Sequence, residues 1–86
     1  MASLAADADV HPVSLARAFR RAFGCSPTAY RRRVRVRAAT GLLASTALPA
    51  VEVAFAAGFA DQSHMCRDVR TEFGTTPSRL RALLGA

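Results

Sequence analysis

Apolar residues recur along this sequence at the three- and four-residue spacing of amphipathic helices, and no segment alternates apolar and polar residues over a strand's length. A helix over about 13–23 collects on one side the residues Leu15, Ala18, Phe19, Ala22 and Phe23. In a second helix that begins near Ser63, the corresponding side carries Met65, Val69 and Phe73. We therefore predict an all-α fold with Phe19, Phe23, Phe59 and Phe73 in its core.

The chain also contains an internal repeat with an offset of 50 residues. Residues 15–31 read LARAFRRAFGCSPTAYR, and residues 65–81 read MCRDVRTEFGTTPSRLR. The identical pairs are Arg17 and Arg67, Arg20 and Arg70, Phe23 and Phe73, Gly24 and Gly74, Pro27 and Pro77, and Arg31 and Arg81. Two copies are too few for a solenoid, so we interpret them as a tandem pair within one domain.

Each copy contains residues that end one helix and begin the next. Gly24 and Gly74 suit the left-handed position that closes a helix, and a hydroxyl residue followed by proline then starts another (Ser26-Pro27 and Thr76-Pro77). Upstream, Gly58 predicts a tight turn between a short helix and a longer one, and Asp9 takes that place in the first copy. A short helix, a tight turn and a longer helix form a helix-turn-helix unit, which is predicted twice.

The helix predicted from Pro27 to about Ala44 has apolar residues on two sides. One side carries Tyr30, Val34, Ala38 and Leu42, and the other carries Val36, Ala39 and Leu43. Because a helix that is apolar on opposite sides needs cover on both, we expect this connecting helix to pack between the two units.

Charge points to a polyanionic partner. All twelve cations are arginines against six acids, and eight of the arginines lie between positions 17 and 37, where no acid occurs. Such a block favours a phosphate backbone. Opposite their apolar sides, the two long helices present Val13, Ala16, Arg17 and Arg20 in one copy and Ser63, Cys66, Arg67 and Arg70 in the other. An arginine one turn into a helix can bind guanine bidentately in the major groove.

The run from Val53 to Arg67, followed by Phe73-Gly74-Thr75-Thr76-Pro77, resembles the signature of the AraC/XylS family of bacterial transcription regulators. The upstream positions from Leu15 to Leu43 resemble the first unit and connecting helix of that family, so the match covers nearly the whole chain. The resemblance implies sequence-specific binding of double-stranded DNA, with paired recognition helices in successive major grooves.

By position in the family pattern, the residues expected to read bases are Val13, Ala16, Arg17, Gln62, Ser63, Cys66 and Arg67. The residues expected to contact the DNA backbone are Arg20, Arg21, Arg33, Arg37 and Arg70. Because Val13 and Ala16 have no hydrogen-bonding side chains, the first helix should read DNA mainly through Arg17 and contacts with thymine methyl groups.

We expect one AraC-type domain over residues 1–86. Residues 1–24 form the first helix-turn-helix unit without the family's first helix, 27–45 the connecting helix, and 50–86 the second unit with a C-terminal helix. We expect no enzymatic activity, no cofactor, no metal and no membrane association.

The expected location is the cytoplasm at the nucleoid. The expected partner is promoter DNA, and RNA polymerase is a second expected partner if the protein activates transcription. The sequence leaves the effector ligand unknown.

Two other classes of function are weaker alternatives. Some methyl-transferring DNA repair enzymes carry this type of domain beside a reactive cysteine, but Cys25 and Cys66 have no metal-binding partner at close spacing. A zinc site that includes His11 and His64 would also lack the usual ligand spacing. A non-specific cationic module for RNA or anionic membranes would not need the duplicated turn residues.

Overall fold

The computed structural model describes residues 12–85, and the regular elements within this range are five α-helices. They are α1 (Pro12–Phe23), α2 (Pro27–Ser45), α3 (Ala50–Ala56), α4 (Gln62–Phe73) and α5 (Pro77–Leu83). No strand occurs in this part of the chain, so the all-α prediction is confirmed. The predicted turn at Asp9 and the residue His11 lie outside the described residues.

The described residues divide into two compact units, residues 12–31 and residues 32–85. The division falls inside α2, so residues 27–31 of this helix belong to the first unit and the remainder belongs to the second.

Glycine ends the long helix of each repeat, as predicted. Gly24 follows α1 with φ +76°, and Gly74 follows α4 with φ +70°. The backbone N–H of each glycine donates to the carbonyl four residues earlier, on Arg20 and Arg70 respectively, at 2.7 Å in both cases. These bonds satisfy carbonyls that a helix end leaves without partners, and a glycine adopts the left-handed conformation without steric cost.

A hydroxyl side chain begins the helix that follows each of these glycines. Oγ of Ser26 accepts a hydrogen bond from the N–H of Ala29 at 3.1 Å, and Oγ1 of Thr76 accepts one from the N–H of Arg79 at 3.2 Å. Because the next residue is a proline in each case, the first helical position has no N–H that needs a partner. The turn chemistry predicted from the repeat is confirmed.

The second unit has a contiguous buried core. Its buried residues are Val36, Ala39, Leu43, Val53, Ala54, Ala57, Phe59, Met65, Val69 and Leu80. They come from α2, α3, α4, α5 and the turn after α3, so every helix that contributes residues to this unit helps to form the core. The predicted burial of Phe59, Met65 and Val69 is confirmed.

The first unit contains a cluster of three aromatic rings rather than fully buried phenylalanines. The ring of Phe23 lies 4.4 Å from that of Phe19 and 5.3 Å from that of Tyr30, measured between centroids. Phe23 nevertheless remains 55% exposed, and Phe19 is half-buried. Leu15, Ala18 and Ala22 are exposed as well, so the predicted burial of this side of α1 is wrong. The three rings shield one another only in part. Helical periodicity identifies the apolar side of α1, but it does not tell how much of that side another segment buries.

Phe73 is also wrongly predicted as a core residue, since it is 51% exposed. It is the last residue of α4 and lines an open groove of about 480 Å³ together with Val36, Arg37 and Gly41 of α2. Gly41 offers no side chain to fill this groove, and a Cβ atom added there would meet no atom within 4 Å. The ring therefore keeps much of its surface accessible.

Only one of the two apolar sides of α2 is buried. Val36, Ala39 and Leu43 lie in the core of the second unit. On the other side Tyr30, Val34 and Ala38 are exposed and Leu42 is half-buried, so the expectation that both sides are covered is wrong. Apolar atoms contribute more than half of the accessible surface of folded proteins, so an individual apolar side chain can remain exposed.

Arg81 has a structural role that the sequence did not indicate. Its Nε donates to the carbonyl oxygen of Leu43 at 3.2 Å, and its Nη2 donates to that of Leu48 at 2.7 Å. The last carbonyls of a helix have no partner within the helix, and Arg81 satisfies one of them near the end of α2. Arg31, the equivalent residue of the first repeat, is exposed.

Candidate nucleic-acid interface

The second helix-turn-helix unit is formed by α3, a tight turn and α4. Gly58 lies in the turn with φ +93°, a conformation that favours glycine. Asp61 then caps α4, because its Oδ1 accepts a hydrogen bond from the N–H of His64 at 2.7 Å. The turn and the cap together set the residue at which α4 begins, and therefore which of its residues lie in its first turns.

The side of α4 that was predicted to read bases is accessible. Gln62, Ser63 and Arg67 are exposed, whereas Cys66 is half-buried. Arg70, predicted to contact the DNA backbone, is exposed one turn further along. Met65 and Val69 lie fully buried on the other side of the helix. The helix can therefore present these polar side chains to a ligand while its apolar side remains in the core.

A third side of α4 faces the arginines of α2. His64, Asp68 and Glu72 follow one another at intervals of four residues and therefore share this side. Nε of Arg32 donates to Oε2 of Glu72 at 2.9 Å, and Nε of Arg33 lies 3.6 Å from Oε1 of the same carboxylate. The sequence analysis missed this side, although the regular spacing of three ionisable residues was a visible signal.

Asp68 connects the same two helices one turn earlier. Its Oδ2 lies 3.7 Å from Nη2 of Arg35 and 3.1 Å from Nε2 of His64. The Asp68 side chain is only 16% exposed, so water screens these contacts less than it would at an open surface. Arg35 therefore serves to hold α4, and the arginine-rich block of α2 is in part neutralised by α4.

In the first unit, α1 also presents an exposed basic side. Arg17, Arg20 and Arg21 are exposed, and Val13 is 68% exposed. Ala16 is half-buried, so it offers less surface than its neighbours. The residues that correspond in the repeat, Arg17 with Arg67 and Arg20 with Arg70, are thus all accessible.

The two remaining arginines predicted to contact the DNA backbone lie on α2. Arg33 and Arg37 line the groove beside Phe73 and are both exposed. Arg33 is 55% exposed although it lies near Glu72. Arg37 makes no ion pair with any carboxylate among residues 12–85, so its charge is available to an external anion.

The chain matches one family model and several solved structures over most of its length. Residues 4–83 match the family model described as a helix-turn-helix domain. A probable AraC family transcriptional regulator from Rhodopseudomonas palustris is 32% identical with a TM-score of 0.74, and the match covers 95% of this chain and 78% of that one. An AraC-type transcriptional regulator from Chromobacterium violaceum is 30% identical with a TM-score of 0.78, over 94% of this chain and 72% of that one. This chain belongs to the AraC family.

The AraC-type domain also resembles a longer regulator. It is 39% identical over 59 residues to the HTH-type transcriptional regulator ExsA of Pseudomonas aeruginosa, over 69% of this chain and 21% of ExsA. The chain thus spans about a fifth of the length of that relative. Domains of the AraC family bind DNA in transcription regulators, and the family is not an enzyme family.

Two further properties of the AraC-type domain concern its cysteines and the apolar character of its helices. Both cysteines are free thiols, with Cys25 buried and Cys66 half-buried on α4. Within residues 12–85, none of the helices has the length and apolar character that crossing a membrane requires.

Proposed function

We propose that this AraC-type domain binds operator DNA sequence-specifically, with α1 and α4 as two recognition helices that enter successive major-groove segments of one duplex. The observation that carries the proposal is the repeated exposed side of these helices, on which Arg17 and Arg20 correspond to Arg67 and Arg70. A basic helix face that can reach base edges and phosphates together is what major-groove recognition requires.

In this proposal, seven residues contact bases. They are Val13, Ala16 and Arg17 of α1, and Gln62, Ser63, Cys66 and Arg67 of α4. Arg17 and Arg67 are the residues suited to bidentate contacts with guanine, and Gln62 is suited to adenine. The methyl groups of Val13 and Ala16 are suited to thymine methyl groups, so α1 discriminates among fewer hydrogen-bonding patterns than α4.

Phosphate contacts come from arginines around these helices. The proposed set is Arg20 and Arg21 of α1, Arg33 and Arg37 of α2, and Arg70 of α4.

The domain would comprise the first helix-turn-helix unit at 1–24, the connecting helix at 27–45 and the second unit at 50–86. It would act in the cytoplasm at the nucleoid, and RNA polymerase would be its partner if it activates transcription. The proposal names no effector.

Selection from a pool of duplexes with randomised sequence tests this function directly. We expect the chain to enrich a common motif, and excess random duplex to compete poorly against it at physiological salt. Footprinting of an enriched duplex should protect two major-groove segments about 10 base pairs apart. Binding without an enriched motif would favour the non-specific cationic module, because phosphate contacts alone produce affinity without sequence preference.

Replacing Arg37 by alanine should weaken binding to all duplexes to the same extent. A lost phosphate contact releases one counterion fewer, so the slope of log affinity against log salt should fall by about 0.9. When the salt concentration rises from roughly 50 to 200 mM, the affinity of the unmodified chain should fall by a certain factor. The affinity of Arg37→Ala should fall by a factor about 3.5 times smaller. Fluorescence anisotropy at several salt concentrations measures both quantities.

The conservative variant Arg37→Lys retains the charge and serves as the control, with an expected salt slope equal to that of the unmodified chain. If Arg37→Ala instead changed which duplexes are enriched, Arg37 would be a base-reading residue and its proposed role would be wrong.

A further inference from the structure

Four side chains around the second helix-turn-helix turn form a closed ring of contacts, which we call the Arg35 cluster: Arg35, Phe59, His64 and Asp68. Asp68 contacts both His64 and Arg35, at the distances given above. The guanidinium carbon of Arg35 lies 5.6 Å from the centroid of the Phe59 ring. The Phe59 and His64 rings pack edge to face with their centroids 5.1 Å apart, which completes the ring of contacts.

The cluster joins three pieces of the unit. Arg35 belongs to α2, Phe59 to the turn, and His64 and Asp68 to the first two turns of α4. Nδ1 of His64 also accepts a hydrogen bond from the backbone N–H of Ala60 at 3.5 Å. Nε2 of the same ring lies near Asp68, at the distance given above. The same residue thus links the turn to the helix.

The Arg35 side chain is partly buried. Its Nε is buried, and no acceptor among the described residues reaches it. Its guanidinium packs over Phe59 and pairs with Asp68, whose side chain is 16% exposed. Although Arg35 belongs to the arginine-rich block, its guanidinium therefore has partners within the domain.

Such a cluster can determine how α4 is rotated about its own axis. The buried residues Met65 and Val69 hold α4 through apolar contacts, which are not directional, and a methionine adapts readily to altered packing. The contacts of the Arg35 cluster instead join particular side chains of different segments, so a rotation of α4 would separate Asp68 from Arg35 and His64 from Phe59. Since side-chain tips lie about 6 Å from a helix axis, a rotation of about 20° displaces them by about 2 Å. That displacement breaks a bidentate contact with a base.

We infer that the Arg35 cluster is a positioning device that sets the rotation of α4, with Asp68 as the residue through which Arg35 and His64 act. The inference rests on the proposed function and deepens it. Gln62, Ser63 and Arg67 would contact bases, whereas His64 and Asp68, their neighbours in sequence, would keep them in the orientation that discriminates among bases. The cluster therefore governs sequence preference more than total affinity.

Asp68→Asn separates positioning from simple electrostatics. Removing a carboxylate from a DNA-binding protein lowers its repulsion of phosphates, so affinity for random duplex should stay equal or rise. A positioning role predicts in addition that the ratio of affinities for the enriched and random duplexes falls about tenfold, the size of one good base contact. Glu52→Gln is the matched control, because it removes one negative charge at an exposed position of α3 outside the cluster. Its ratio should stay within about twofold of that of the unmodified chain.

The outcomes of this experiment are distinct. If the unmodified chain enriches no duplex, the proposed function fails. If it enriches one and Asp68→Asn retains the same affinity ratio, only the positioning inference is overturned. Should Asp68→Asn fail to fold by circular dichroism, Arg35→Gln provides the same readout. It removes both the charge that pairs with Asp68 and the guanidinium that packs over Phe59. A tenfold fall supports the inference, and an unchanged ratio overturns it.

Discussion

Replacing Leu43 by alanine is expected to lower the free energy of unfolding by about 2–5 kcal/mol, the range for a large-to-small change at a fully buried site. Leu43 is 1% exposed and lies in the core of the second unit, to which α2, α3, α4 and α5 contribute. Small domains are typically stable by only about 5–15 kcal/mol, so this single change removes a large share of the total. Urea unfolding followed by circular dichroism measures it through the transition midpoint.

Val34→Ala provides the matched control on the same helix. Val34 belongs to the other apolar side of α2 and is 52% exposed, so truncating it should alter the stability by no more than about 0.5 kcal/mol. If Val34→Ala also lowered the free energy of unfolding by about 2–5 kcal/mol, both sides of α2 would be buried in solution, contrary to the structure.

Replacing Arg67 by alanine should have the largest effect on sequence preference. A bidentate arginine–guanine contact discriminates against the wrong base by about 1–3 kcal/mol, so preference at one or two base pairs should fall by roughly 5- to 150-fold. Arg67 is exposed on α4 one turn after Ser63, and its removal leaves the buried residues Met65 and Val69 unchanged. Titration of the chain against the enriched duplex and its single-base variants measures the loss at each position.

Arg79→Ala is the control for the loss of a positive charge. Arg79 is exposed on α5, outside both proposed recognition helices, so its removal should leave the preference among single-base variants unchanged. An Arg67→Ala protein that discriminates between these duplexes as well as the unmodified chain would exclude Arg67 as a base-reading residue.

The helix ends were predictable because their determinants are local. A glycine at a left-handed position and a hydroxyl residue followed by proline act within four residues of chain, through hydrogen bonds such as that from Ala29 N–H to Ser26. The internal repeat strengthened the prediction, since the same chemistry occurs at Gly74 and Thr76. The accessible sides of α1 and α4 were predictable for a related reason, because helical periodicity assigns each residue to a side.

Periodicity does not state which apolar sides find a partner. Val34 and Leu43 lie on two apolar sides of α2 that the sequence pattern does not distinguish, yet Val34 is 52% exposed and Leu43 only 1%. Phe23 and Phe73 occupy equivalent positions of the repeat, and both were expected in the core, but each is more than half exposed. Burial depends on segments that are distant in sequence, and a local pattern contains no information about where those segments lie.

The amino-acid sequence alone determined the helical class, the duplicated turns, the AraC family and the arginine-bearing sides of α1 and α4, because short-range spacing encodes each of them. Only the tertiary structure decided that Arg32 pairs with Glu72, that Arg35 pairs with Asp68, and that Arg81 binds the carbonyls of Leu43 and Leu48. These partners are separated by 33–40 residues, and an ion pair or hydrogen bond forms only where the fold brings the two groups within a few ångströms. The charge of an arginine is visible in the sequence, whereas its partner is a property of the packed molecule.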